Sequence, residues 1–514
     1  MIHADNKQPD IRINSIVIKQ PKLSVETHSA KGTTRITWNG MTHQNDMLLK
    51  ELQYGRGNSN SGTAASVDVQ LDDFSLQTPG GKTFRSDSGS VSSKLSDISW
   101  STSSNGTGNW SARIDDINAS KFAKDSLGRA KGKLDIRSAS ASNIRIGQAQ
   151  MKNIRELITQ NPAFIVEHFD GSWKTPGSSV VWYQAAYDRS GKQAHIDSVI
   201  YKPALDRDSS NIVNPFQHDH ISVSSGAVNV GGFDIDRFLK DSLLQIGTLQ
   251  ADQIAFIDYR DKRLPFKGGK IRPLPVNLVK KIPFRFSADT LLITNSYVSY
   301  AEVNPKNNET GTVTLSRFHA RFFPVRNFNL GPTDSMRLQA NAYLMDTAWI
   351  RLRMRESYTD SLGGFLMTLR MKPANVEILN PVLIPMTSVK IQSGMLDTIS
   401  MRAVANEHLA YGDMKMFYHD LKIKFLRNGD ETKRSFMTSL ITFVANSFVI
   451  RNNNRSRTGK VFFLRDRERS AVSYLIKIAM SGIASSVGAK SNRKIIRRYK
   501  KFIHLRNLPP VDYD

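Results

Sequence analysis

A two-residue period of apolar and polar side chains, broken at intervals by a slip of phase, constrains this chain more than any other feature. Ile11, Ile13, Ile16, Ile18, Leu23 and Val25 alternate with polar residues, as half-buried strands require. The pattern returns at Val67, Val69, Leu71, Phe74 and Leu76, at Leu95, Ile98 and Trp100, and at Trp110, Ala112, Ile114 and Ile117. Each slip has a similar form: an apolar residue, two residues that are mostly small or acidic, then alternation in a new phase. It reads Ile13-Asn14-Ser15-Ile16, Leu71-Asp72-Asp73-Phe74, Leu95-Ser96-Asp97-Ile98 and Ile114-Asp115-Asp116-Ile117. Later come Ile196-Asp197-Ser198-Val199, Ala251-Asp252-Gln253-Ile254 and Ala288-Asp289-Thr290-Leu291. A slip inside an alternating run predicts a bulge or tight turn that keeps apolar side chains on one face. Recurrence predicts β units added in series, although any antiparallel sheet shows related patterns. The chain is expected to be mainly β.

Helical signals are few. Met151 to Thr159 and Phe233 to Leu244 each suit one short helix, and segment 262–285, with four prolines, reads as an irregular basic connection. Asp206 to Asn214 is polar and turn-rich and marks a boundary, so three regions are expected: 1–205, 206–430 and 431–514. The last begins with helical spacing at Phe436, Leu440, Phe443 and Val444. It continues with a hairpin of Phe448 to Ile450 and Val461 to Leu464 around the loop Asn452 to Gly459. The stripe Val472, Leu475, Ile476, Ala479, Ile483 and Val487 follows at helical period. Gly482 inside that stripe suggests close packing.

Charge separates the two halves. Residues 1–250 carry 28 Lys+Arg against 25 Asp+Glu, a net +3; residues 251–514 carry 43 against 21, a net +22. Such a balance points the second half toward phosphates, in lipid headgroups or in nucleic acid. The chain has no cysteine, which excludes disulfides, zinc–thiolate sites, iron–sulfur clusters and thiol catalysis. No stretch reaches the roughly 20 apolar residues of a membrane span, and Met1 to Asp10 lacks the apolar core of a signal peptide.

No nucleophile elbow, P-loop, dinucleotide fingerprint or His-Glu-x-x-His is present, and the carboxylates are scattered, so no enzyme activity and no cofactor are expected. His218-Asp219-His220 could present two imidazoles on one strand face to a metal, or could be a polar loop without a third ligand. Tyr259-Arg260-Asp261-Lys262-Arg263-Leu264-Pro265 could hold a phosphate or form a solvated turn with local ion pairs. The stripe at 472–487 runs into a basic tail with Arg493, Lys494, Arg497, Arg498, Lys500 and Lys501, the pattern of a helix at an anionic membrane surface. A core helix with a solvated tail is the plainer alternative.

Thr312 to Phe425 resembles the C-terminal region of AsmA-like envelope proteins. The likeness is carried by Asn380-Pro381-Val382-Leu383-Ile384-Pro385, Ile391 to Met395, Thr398 to Ala403, Tyr411 to Met416 and Asp420-Leu421-Lys422-Ile423. In that family a glycine starts one strand, a second glycine starts the next, and a short Asp-Leu strand closes the unit; Gly394, Gly412 and Asp420-Leu421 stand in those places. The resemblance implies a long twisted antiparallel sheet forming an open groove that holds acyl chains, with a few short helices. It also implies a location in the cell envelope, periplasmic and associated with the inner membrane, and a part in supplying lipid to the outer membrane. AsmA-like proteins usually begin with a membrane-spanning helix, and none is written here. For the groove lining, Phe286, Leu291, Ile293, Val298 and Tyr300 are one expected set; Leu396, Ile399, Met401 and Val404 are the other. Closure of the apolar face on a second sheet is the alternative.

Three functions remain in order. The first is a non-enzymatic envelope protein that binds or conducts phospholipid, with an anionic membrane surface and further envelope proteins as partners. The second is a ligand-free scaffold built on the same strands. The third is nucleic-acid binding through the basic half, for which no recognition module is evident.

Overall fold

The computed structural model describes residues 11–19, 22–29, 32–39, 46–55, 60–72, 74–77, 83–86, 90–102, 108–125, 133–147, 154–426, 451–488, 492 and 496. The chain is mainly β with a few short helices, one of them near the C-terminus. It divides into two compact units, Met1–Ala204 with Ala227–Ser242, and Leu205–Gly226 with Leu243–Asp514. The chain returns once to the first unit before settling in the second, and the division sets no third unit apart at 431–514.

The first unit opens with ten strands: β1 (Ile11–Lys19), β2 (Lys22–Ser29), β3 (Gly32–Asn39), β4 (Asp46–Gly55), β5 (Asn60–Asp72), β6 (Phe74–Gln77), β7 (Thr83–Ser86), β8 (Ser90–Thr102), β9 (Gly108–Asp125) and β10 (Lys133–Gly147). They form an antiparallel meander in the order β1, β4, β5, β8, β9, β10. The shorter strands β2, β3, β6 and β7 pair alongside and join β9 through β7. Helix α1 (Ile154–Thr159) follows, then β11 (Ile165–Lys174), β12 (Ser178–Tyr183), β13 (Ala186–Asp188), β14 (Gln193–Ile196) and β15 (Ser198–Pro203). The returning segment adds β17 (Val228–Gly231), which pairs with β14, and α3 (Ile235–Asp241). Arg189 pins the two helices, meeting Asp236 of α3 at 2.5 Å and the carbonyls of Ile158 and Asn161 at the end of α1.

The phase slips become breaks in the ladder. Asp97 lies at φ +50 where β8 and β9 shift register, and Lys94/Leu95 against Asp116/Ile114 is a second shift. β14 gives way to β15 at Asp197, and Gln253 sits at φ +52 between two strands of the second unit. Ala288 to Leu291, by contrast, runs inside one continuous strand.

The second unit holds α2 (Arg207–Val213), β16 (Asp219–Ser224), β18 (Leu243–Asp252), β19 (Ala255–Asp261), α4 (Pro275–Lys280), β20 (Arg285–Val303), β21 (Thr310–Phe323), β22 (Val325–Arg326), β23 (Ser335–Leu344), β24 (Ala348–Ser357), β25 (Phe365–Met371), β26 (Ala374–Asn375), α5 (Asn380–Thr387), β27 (Val389–Ala405), β28 (Leu409–Phe425), β29 (Thr458–Leu464) and α6 (Ala471–Val487). β20 pairs in parallel with both β18 and β19, a departure from the antiparallel expectation. Parallel neighbours need a crossover of about a dozen residues or more, and the proline-rich connection with α4 supplies it. From β20 the order β21, β23, β24, β25, β27, β28, β29 is antiparallel throughout.

One face of this sheet is a sealed core. Leu338, Met354, Phe365, Met367, Leu396, Ile399, Met401, Met414 and Met416 point into it, and Tyr474 and Ile478 of α6 close it. Leu475, Ala479, Ile483 and Val487 of the expected stripe pack on that core, whereas Val472 and Ile476 face outward at 66% and 55% exposure. At Gly482 a Cβ would stand 2.7 Å from Met414, so the helix approaches as closely as its glycine allows. The rest of the expected C-terminal helix and hairpin, Thr432 to Val444 and Phe448 to Ile450, lies outside the described residues.

Candidate lipid-binding face

In the first unit the register of the meander lines up aliphatic side chains across six strands. Ile16 of β1 faces Leu49 of β4, Leu49 faces Val67 of β5, and Val67 faces Leu95 of β8. Leu95 faces Ile114 of β9, and Ile114 faces Ile144 of β10. A second row runs beside it through the pairs Ile13–Leu52, Ala64–Ile98 and Ala112–Ile146. The phase slips keep both rows in step, since each bulge restores the apolar side to one face after the ladder shifts.

This face is not sealed. Among the described residues of the first unit, only Ala64, Val67 and Ala112 are fully buried apolar side chains. Ile16, Leu49, Leu95, Ile98, Ile114, Ile144 and Ile146 are each half-buried, and no described residue between 11 and 147 is helical. A sheet with one apolar face must cover it or leave it for a ligand, because exposed contiguous apolar area is costly. At one end Tyr54, Gly62, Trp100 and Trp110 open a pocket of about 550 Å³ whose rim carries Gln53, Ser61, Thr63, Ser99, Ser101, Asn109 and Ser111. Only glycine fits at position 62, because the Trp100 ring lies where a Cβ would stand. The apolar floor can hold an acyl chain, while the hydroxyls and amides of the pocket alternate with it along the strands and belong to the sheet's other face.

The residues expected to line a groove lie elsewhere and are not brought together. Leu396, Ile399 and Met401 are 1%, 4% and 2% exposed in the sealed core, with no surface left for an acyl chain. Val404 is on the opposite side of β27, packed with Leu409, Leu366 and Tyr411, because its parity differs from that of Ile399 and Met401. On β20, Phe286, Leu291, Val298 and Tyr300 are half-buried, and Ile293 packs against the core. Tyr300 ends in a polar knot: its hydroxyl donates to Glu302 at 2.5 Å, and burial together with the Glu302 charge raises its pKa. Arg493, Lys494, Arg497, Arg498, Lys500 and Lys501 lie outside the described residues.

The two other candidate clusters are occupied locally. His218 pairs with Ser210 at 2.8 Å and His220 with the Leu205 carbonyl at 3.0 Å, so the imidazoles serve different neighbours. Among the described residues no group of three or more potential ligands could hold a metal ion. In the 259–265 cluster, Asp261 binds Arg263 in bidentate fashion at 2.6 to 3.1 Å, and Lys262 meets Glu302 at 2.5 Å. Those cations are ion-paired within the fold.

No known protein family and no curated protein matches the chain. Within 312–425, Gly394 and Gly412 sit inside β27 and β28 rather than at the strand starts expected of them. Gly394 has φ +152 at a register shift, and a Cβ on Gly412 would stand 2.7 Å from the Ala403 Cα. Asp420-Leu421 continues β28, with Asp420 at φ +55. Among the described residues no helix is long and apolar enough to cross a membrane.

Proposed function

We propose that this protein is a non-enzymatic phospholipid-binding protein of the cell envelope that holds acyl chains on the apolar face of its first unit. The observation that carries the reading is the six-strand aliphatic ladder from Ile16 to Ile144, whose side chains other than Val67 are half-buried rather than sealed. An acyl chain laid along the rows removes apolar area from water at about 25 cal/mol per Å², and no side-chain chemistry is asked of the site. The resemblance of 312–425 to AsmA-like proteins supports the same class of ligand and the envelope as its place.

The test is native purification of the full chain, extraction with organic solvent and identification of bound lipid by mass spectrometry. Phospholipid near one or a few molecules per chain is expected. Protein that stays free of lipid after incubation with liposomes would refute the reading and favour a scaffold whose apolar face meets another protein.

A further inference from the structure

The strands that seal the second unit's core carry an array of arginines on their other side. Along β24 the alternation Arg351, Arg353, Arg355 is exposed while Leu352 and Met354 point inward. Neighbouring strands add Arg317 and Arg321 from β21, Arg337 from β23 and Arg370 from β25, all exposed. Register sets them side by side: Arg337 stands directly opposite Arg355, and Arg351 directly opposite Arg370. Like charges in direct opposition destabilise a sheet. Among the described residues none of these seven arginines has a carboxylate partner within ion-pair distance. Asp413, in register across the same face, is engaged by Lys460. The main core does not explain the array, since it lies on the opposite side of the same strands, and on the arginine side Val404 and Leu409 form a small separate cluster with Leu366 and Tyr411.

We propose that this arginine face docks the protein on the surface of an anionic phospholipid bilayer. The guanidiniums are spread in two dimensions, about 7 Å apart along a strand and about 5 Å between strands, which suits a plane of phosphates better than a single phosphodiester line. The aromatics among them are already used. Arg317 lies over Tyr343 at 3.9 Å, Arg321 over Phe323 at 4.3 Å, and Arg351 and Lys372 over Trp349 at 5.1 and 4.9 Å. Those rings orient cations by their quadrupoles instead of offering platforms for bases. Among the described residues the face is built from mid-strand positions and presents no helix to enter a nucleic-acid groove.

This docking surface is separate from the acyl-chain face and shares no residue with it. The test uses the full chain and sedimentation with vesicles of phosphatidylcholine, with and without phosphatidylglycerol, in low salt. Each arginine near an anionic surface is worth about fivefold in partitioning, so Arg351→Gln with Arg353→Gln and Arg370→Gln lowers binding about 100-fold. A control triple, Lys270→Gln with Lys280→Gln and Lys281→Gln, removes the same net charge from another surface and is expected to stay within a few-fold of wild type. Thermal unfolding of the arginine triple should be unchanged or slightly higher, because a like-charged pair is relieved, which separates docking from folding. Equal loss in the control triple would reduce the effect to net charge and overturn the proposal. So would equal binding to neutral vesicles, or displacement of bound protein by an oligonucleotide at matched phosphate. Lipid extraction is unaffected by any of these results.

Discussion

The contrast between an open face and a sealed one makes a prediction that stability and ligand binding must divide between the two units. Ile114 in β9 is half-buried in the aliphatic ladder; Ile399 in β27 is 4% exposed beneath α6. Both are isoleucines in alternating strands, so Ile→Asp is the same chemical change in two settings. Fully burying an isoleucine is worth about 3 kcal/mol, and a carboxylate placed in a closed core adds a desolvation cost of several kcal/mol more. Ile399→Asp is therefore expected to cost more than about 4 kcal/mol and to unfold the second unit. At Ile114 the side chain keeps access to water, so the aspartate stays hydrated and only part of the transfer energy is lost, about 1 kcal/mol. Hydrogen exchange read separately over the two units, together with urea unfolding, measures both costs. Ile114→Asp should leave exchange protection in the first unit nearly intact while phospholipid in the organic extract falls severalfold. If Ile114→Asp instead unfolded its unit as completely as Ile399→Asp unfolds the other, the first unit's face would be a closed core. If it folded and kept its full lipid load, the ladder would not be the binding surface.

Two further predictions follow from buried groups in the second unit. Glu356 is fully buried, accepts one hydrogen bond from the Val276 amide at 3.1 Å, and leaves its other oxygen without a partner among the described residues; burial, with the Glu407 charge adding to it, pushes its carboxyl up to about 8. It is then protonated in the fold but ionised in the unfolded chain between its ordinary value of 4.5 and about 8. Its contribution is full below pH 4.5 and fades as pH rises toward 8, at up to about 1.4 kcal/mol per pH unit. Glu356→Gln should flatten that slope in urea unfolding, and a slope equal to the wild type's would contradict the assignment. Gly412 lies against the backbone of Arg402 and Ala403, so Gly412→Ala should force β27 and β28 apart and cost about 3 kcal/mol. An unchanged unfolding midpoint would show that the strands can move without loss.

Local pattern carried the strands, and even their irregularities, because alternation and its slips are written within a few residues. Asp97 could be placed at a break from Leu95-Ser96-Asp97-Ile98 alone, and the left-handed φ of +50 is the backbone form of that slip. What covers a strand is not written locally. Leu95 and Ile399 stand in runs of the same period, but the core around the second is completed by Tyr474 and Ile478 from residues 471–487, far along the chain. Leu396, Ile399 and Met401 of the expected lining therefore fell on the sealed face. Val404 was separable even so, since an even position cannot share a face with Ile399 and Met401 unless a bulge intervenes, and the ladder runs unbroken from Ile399 to Ala405. The arginine face shows the same limit from the other side. Arg351, Arg353 and Arg355 alternate visibly within one strand, and a net charge of +22 over 251–514 follows from counting. That Arg337 meets Arg355 and Arg351 meets Arg370 depends on the register between strands, which the turns at 345–347 and the loop at 358–364 set. A one-residue shift in either pairing would turn one strand's arginines to the core side and bury its apolar residues' places with charge, at a cost no sheet of this size bears. The cost of burying a charge holds that register, and the register gathers charges from β21, β23, β24 and β25 into one surface.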